Sequence, residues 1–173
     1  MKIGIRRANS VDTEIITSFN SRMAWETEGR RLDPLILVQG VSMVLQNPSR
    51  GFYLLAEIDG NVVGQCMITY EWSDWRCGDF WWIQSVYIVP DFRRKGVFKA
   101  LYSHVLETAR ATDFVVGIRL YVEQDNTRAI QTYLNLGLHP AHYSMFEYDF
   151  TMKEKNIDPI TPECKRPHLT KTD

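Results

Sequence analysis

The segment FWWIQSVYIVPDFRRKGVFKALYSHVLETA changes its period in the middle, and that change constrains the fold more than any other feature of the chain. A strongly β-prone run ends at Pro90-Asp91, three cations follow at Arg93, Arg94 and Lys95, and then comes Gly96. From Gly96 onward Val97, Leu101, Val105 and Ala109 recur on one helical stripe, with Phe98, Tyr102 and Leu106 beside them. A strand, a basic glycine turn and a helix start in direct succession put several unpaired backbone N–H groups in one place. The positive end of the helix dipole adds to them, and the combination suits a phosphate or pyrophosphate without a metal. The plainer reading, three solvated cations in a turn, stays open on spacing alone.

The rest of the chain supplies what such a turn needs around it. IGIRRA is a short alternating run, and Ser10, Thr13 and Glu14 then read as the capped start of a helix carrying Ile15, Ile16, Phe19 and Met23. Asp33-Pro34 opens a second helix that stops before Asn47-Pro48. Two strands, GFYLLAEID and NVVGQCMITYEW, flank Asp59-Gly60-Asn61, a strong hairpin signal, and Gly64 inside the second marks a bulge or a close backbone approach. After the helix at Gly96 come a strand in FVVGIRLYVE, a helix capped by Asn126 and ended at Gly137, and a last alternating run, YSMFEYDF. This order predicts an α/β domain with an antiparallel hairpin followed by β-helix units that need crossovers.

A chain of 173 residues fits one domain, here expected over residues 1–150, with residues 151–173, containing three prolines and few apolar positions, as a tail. The 20 Lys and Arg against 21 Asp and Glu leave no overall basic field, so a nucleic-acid partner is not expected despite the basic turn. No apolar run approaches the roughly 20 residues that cross a bilayer, and the amino terminus lacks a signal peptide's apolar centre, so a cytoplasmic protein with no membrane partner is expected. Cys66, Cys77 and Cys164 lack paired metal-ligand spacing and no metal is expected.

Two separate segments resemble one family. VYIVPDFRRKGVFKAL is similar to the central strand, acetyl-CoA loop and helix of the GCN5-related N-acetyltransferases (GNAT), with their Gln/Arg-x-x-Gly-x-Gly/Ala pattern; VEQDNTRAIQTYLNLGL resembles their Asn-x-x-Ala-x-x-x-Tyr-x-x-x-Gly segment. The likeness covers roughly residues 3 to 150. It implies a mixed, mostly antiparallel sheet flanked by helices, with a splayed central strand pair that admits CoA. It further implies that Val86 and Ile88 pair with the pantetheine arm as a further strand would, and that amides from about Arg94 to Lys99, through Gly96, Val97 and Phe98, hold the pyrophosphate. Arg93, Arg94 and Lys95 would raise the local potential. Asn126 would hydrogen-bond the arm, and Tyr133 would sit near the sulfur as general acid, a role its chemistry supports because a departing thiolate with a pKa of about 8.5 can take a phenol's proton.

This sequence departs from the pattern at two positions. Phe98 stands where the family has Gly or Ala, so its ring must turn away from the cofactor into the protein core; Gln84 stands where several amine acetyltransferases place a glutamate, and an amide can orient a water or an acceptor but cannot take a proton. An alkyl amine with a pKa of about 10.4 is ~99% or more protonated at neutral pH. Of Glu71, Asp74 and Asp79 near the cleft-flanking strand ends, Glu71 ranks first as base. Trp72, Trp75, Trp81 and Trp82 among those acids suit a cationic amine or, equally, a core or a dimer surface. Glu26, Glu28 and the pair His139 and His142 are further groups for an acceptor groove. The expectation is acetyl transfer from acetyl-CoA to a primary amine by direct attack, in a homodimer. The rivals are an acyl-CoA-binding module without turnover and a nucleic-acid-binding domain.

Overall fold

Asp59 and Gly60 make the turn of the first hairpin, with φ of 50° and 78°, and Asn61 already belongs to the returning strand. Two successive left-handed residues give the turn whose twist matches that of the strands it joins. In the computed structural model, which describes residues 2–150, the elements are β1 (Gly4–Arg7), α1 (Thr13–Glu28), α2 (Pro34–Gln46), β2 (Phe52–Ile58), β3 (Asn61–Ser73), β4 (Gly78–Ile88), α3 (Val97–Ala111), β5 (Val115–Arg119) and α4 (Thr127–Asn135). The sheet runs β1-β2-β3-β4-β5 in space, antiparallel except for the parallel pair of β4 and β5. It is the mixed, mostly antiparallel sheet expected, with α3 as the crossover.

Local chemistry explains where the helices begin. Asp33 Oδ1 accepts from the amides of Leu35 and Ile36, and Pro34 takes the first helical position, where its missing N–H costs nothing. The start of α1 differs from the expectation: Asn9, not Ser10, is the capping residue, and it caps a single 3-10 turn over Ser10–Asp12 that precedes the helix. Asp12 closes that turn by accepting from the Asn9 amide and is gripped by both terminal nitrogens of Arg6 at 2.8 Å.

The sheet separates two cores. On one face Leu54, Ala56, Ile68, Trp81 and Ile83 pack against the α3 stripe of Val97, Leu101, Val105 and Ala109, all buried. On the other, Tyr53 and Leu55 pack against Ile16 of α1 and Val41 of α2. Burying one such side chain contributes roughly 1.5–3 kcal/mol, so the α3 stripe fixes that helix against the sheet. Gly64 lies where sheet and α3 meet: a Cβ there would stand 2.6 Å from the end of the Ile88 side chain, 3.1 Å from the Tyr87 carbonyl and 3.2 Å from the Val97 side chain, so a side chain here would crowd all three.

What positions the site is a divergence. β3 and β4 stay paired from Ser73↔Gly78 to Gly64↔Ile88, whereas β5 pairs β4 only from Asp79↔Val115 to Trp82↔Arg119. Beyond Trp82 the β5-side edge of β4 is open, which is the splay the resemblance implies.

The contacts divide the chain into two units, Met1–Leu138 and His139–Asp173. The alternating run at 143–150, expected as a strand, carries no strand. Alternation marks two faces but makes a strand only where a neighbour's N–H and C=O groups are at hand, and Tyr143, Met145, Phe146, Tyr148 and Phe150 are exposed. The expected tail at 151–173 lies outside the described residues.

Candidate active site

The open edge of β4 is shaped by a bulge. Gln65 stands opposite Tyr87 and Met67 opposite Gln84, so Ser85 and Val86 together face the single residue Cys66, and Ser85 takes a φ of 48°. Beyond the bulge Val89 donates to the Val63 carbonyl on β3, so by alternation the backbone groups of Ile88 point to the open side. The side chains of Val86 and Ile88 pack toward the α3 core.

The turn after β4 aims its amides the same way. Arg94 and Gly96 are left-handed, with φ of 64° and 84°. The Ala100 amide is the first of α3 to find a helical acceptor, the Gly96 carbonyl at 3.0 Å, and no side chain caps the helix. The amides of Val97, Phe98 and Lys99 therefore converge on the space before Gly96. Nothing lies within 4 Å of where a Gly96 Cβ would stand, so the glycine serves its backbone angle and an outside approach.

These features surround one cavity of about 470 Å³, within the range of small-molecule sites. Of the residues singled out in the sequence, Val86, Ile88, Arg93, Arg94, Gly96, Val97, Phe98, Lys99, Asn126 and Tyr133 line it. Lys95, Gln84 and Glu71 do not: the Lys95 ammonium sits 5.4 Å above the Phe92 ring. α1 forms the facing wall with Met23, Glu26 and Thr27.

Within the wall, several groups already have work. Arg93 donates from Nε to the Ile88 carbonyl at 2.8 Å and from its fork to Glu26, which also accepts from the Tyr87 hydroxyl at 3.0 Å. The Arg93 guanidinium, with the Tyr87 hydroxyl helping, holds the Glu26 carboxyl below its ordinary range, so this pair ties the turn to α1. Asn126 uses Oδ1 to cap α4 through the Ala129 amide at 3.1 Å, which leaves its Nδ2 protons to offer. Burial pushes the Tyr133 phenol above its ordinary value, so it stays protonated. Phe98 packs on the α3 core and meets Tyr133 edge-on at 5.7 Å, but it does not turn away from the cavity as expected: it is half-buried and lines it.

Gln84 and Glu71 lie together elsewhere, on the α1 face of the sheet where the register aligns Thr69 with Trp82 and Glu71 with Phe80. Gln84 Nε2 donates to Thr69 Oγ1 at 2.6 Å. Glu71 accepts from Arg119 at 2.6 Å and from the Trp82 indole, and Arg119 lies 3.7 Å over the Phe80 ring. The Arg119 hydrogen bond, then that of Trp82, lowers the Glu71 pKa, which is the wrong direction for a base. Of the tryptophans only Trp81 is core; Trp82 is half-buried and Trp72 and Trp75 are exposed. Arg119 was missed, although a lone arginine in the apolar run FVVGIRLYV signals a partner across the sheet. The Tyr87 link to Glu26 has no signal in the sequence. Among the described residues no group of acids, histidines and cysteines could hold a metal, and no helix is long and apolar enough to cross a membrane.

A mixed sheet opened along one strand, with a glycine turn and a bare helix N-terminus at the opening, defines an acetyltransferase fold. The chain belongs to the Acetyltransferase (GNAT) family, whose family model matches residues 14–138. It is similar to a possible acetyltransferase of known structure from Clostridium difficile 630, at 42% identity and a TM-score of 0.80 over 86% of this chain and 98% of that one. A predicted acetyltransferase with acetyl-CoA from Clostridium acetobutylicum, at 16% identity and a TM-score of 0.70, shares the fold over 85% of this chain and 96% of that one. So does a ribosomal-protein-alanine N-acetyltransferase from Brucella melitensis, at 17% identity and 0.70 over 86% and 99%. No curated protein matches the chain.

Proposed function

We propose that the protein is a cytoplasmic N-acetyltransferase that moves the acetyl group of acetyl-CoA to a primary amine by direct attack, and that it works as a homodimer. The observation that carries this reading is the cavity at which the α3 amides, the open edge of β4 and Tyr133 meet. In this reading the amides of Val97, Phe98 and Lys99 bind the pyrophosphate, Val86 and Ile88 pair with the pantetheine arm, and Asn126 donates to it. Arg94 faces the phosphates; Arg93 shapes the turn through Glu26 and Ile88.

Acetyl-CoA supplies an activated acyl carbon on a sulfur leaving group. The amine nitrogen bonds to that carbon, the carbon–sulfur bond breaks, and the sulfur takes the Tyr133 hydroxyl proton while the surplus amine proton passes to water. Tyr133 is then reprotonated from solvent. Glu26 is the one carboxylate lining the cavity and its pKa is lowered, as is that of Glu71, so each is ionised but a weak proton acceptor. Gln84, on Thr69, orients the acceptor or a water. Deprotonating an alkyl amine at neutral pH costs roughly 4–5 kcal/mol, which favours acceptors of lower pKa such as α-amines.

The weakness of these carboxylates as proton acceptors favours the second reading, an acyl-CoA-binding module without turnover. An amine panel followed by CoA-thiol release, beside calorimetric titration with acetyl-CoA, decides between them: binding without turnover on any amine selects the module.

A further inference from the structure

Among the described residues Gln65 is the one polar side chain of the sheet that is wholly shut from solvent, at 0% exposure. Its Nε2 donates to Asn20 Oδ1 at 2.7 Å and to the Ser85 carbonyl at 3.3 Å, while its Oε1 has no partner among the described residues. Asn20, also buried, passes the chain on to the Tyr53 hydroxyl at 3.3 Å. An unpaired buried acceptor is costly, and a leucine would fill the space without it. What the residue gains for the protein is its two hydrogen bonds, the tie to Asn20 on α1 and, through it, a fixed amide for the Ser85 carbonyl.

Ser85 is the bulge residue of β4, held at a φ of 48° that serine rarely adopts. Its peptide link to Val86 is trans, as is every other described, so the Val86 N–H points opposite to the Ser85 carbonyl. The carbonyl faces Gln65, on the β3 side; the amide therefore faces the open edge, where Val86 lines the cavity. We propose that Gln65 is a positioning residue: anchored on Asn20, its amide holds the Ser85 carbonyl inward so that the Val86 N–H is fixed as the donor to the thioester oxygen. A donor fixed before reaction acts where negative charge develops on that oxygen, and it needs no reorganisation to do so. The inference rests on the acetyl-CoA reading above.

The test is an infrared difference spectrum of acetyl-CoA carrying a 13C carbonyl, bound to the wild type, to Gln65→Met and to Gln65→Leu, with kcat and the acetyl-CoA Kd of each. Methionine keeps the unbranched shape should leucine fail to fold. In the wild type the carbonyl band lies below its aqueous position; in the variants it moves up, kcat falls at least about tenfold, and Kd stays within about twofold. A wild-type band at its aqueous position overturns the proposal, and so does a folded Gln65→Met with unchanged band and kcat. Failure of the wild type to bind acetyl-CoA overturns the acetyltransferase reading instead, and is seen before any variant is compared.

Discussion

Phe98 and Tyr133 meet edge to face, their ring centroids 5.7 Å apart at an interplanar angle of 62°. The residue that breaks the glycine pattern of the loop is thus packed on the one that the reading makes the general acid. Tyr133→Phe keeps the ring pair and loses only the hydroxyl, so turnover is expected to fall 10²–10⁴-fold, roughly 3–5 kcal/mol of barrier, with acetyl-CoA affinity unchanged in calorimetry. Phe98→Ala removes the ring that places the phenol; a contact of this kind is worth ~0.5–1.5 kcal/mol, or roughly a two- to tenfold loss in kcat. Full activity in Tyr133→Phe would remove the acid role, whatever Phe98→Ala does.

The turn separates backbone from charge. Gly96→Val forces a β-branched residue to a φ of 84° and puts its methyls into the open space that the amides face, so acetyl-CoA binding should be abolished. Arg94→Ala and Lys95→Ala remove exposed, screened charges and should weaken binding only a few-fold each. Arg93→Ala should cost more than either, because it frees both Glu26 and the Ile88 carbonyl. Calorimetry on the four variants checks the order; normal binding by Gly96→Val would refute the loop assignment.

The homodimer we propose turns on exposed tryptophans. Trp75 is 87% and Trp72 58% exposed at the tip of the β3-β4 hairpin, more aromatic surface than a lone chain usually leaves wet. Light scattering at high micromolar concentration should give twice the chain mass, and Trp72→Lys together with Trp75→Lys should return it to one.

Local signals were legible, long-range ones were not. The hairpin, the α3 stripe and the caps at Asp33 and Asn126 each rest on a few adjacent residues, and all appear in the fold. The acceptor side turns on Glu71 meeting Arg119 and on Glu26 meeting Arg93, pairs from distant parts of the chain whose meeting only the sheet order decides. Glu71 read as a free acid because nothing near it in sequence revealed its cation. The 143–150 run read as a strand because alternation cannot show whether an edge is free to pair with it.

Asp12 links stability to acid. The Arg6 hydrogen bond, opposed by burial, holds its carboxyl below the ordinary value. A depressed folded-state pKa contributes stability that is full above the unfolded value of about 3.9 and is lost as pH falls through the lower folded value. Asp12→Asn should therefore be less stable at pH 7 but lose less on going from pH 5 to pH 2, as read by thermal melts across that range. A parallel shift at every pH would show that the carboxylate's charge contributes nothing.

Gln84 decides how the amine loses its proton. It sits on the sheet face with Thr69, Trp82 and Glu71, and the one carboxylate there is held down by Arg119. Gln84→Glu introduces a carboxylate without that cation against it, at the position where, by the resemblance, several amine acetyltransferases carry a glutamate. On alkyl amines of high pKa, which are ~99% or more protonated at neutral pH, the variant should turn over faster than the parent. The rising limb of its pH profile should also move to lower pH. Glu71→Gln is the control: since Glu71 is already ionised and paired, the change should leave that limb in place, while the unpaired Arg119 raises KM for cationic acceptors. A flat or lower rate in Gln84→Glu would mean that the glutamine orients the acceptor, and would point to amines that arrive neutral.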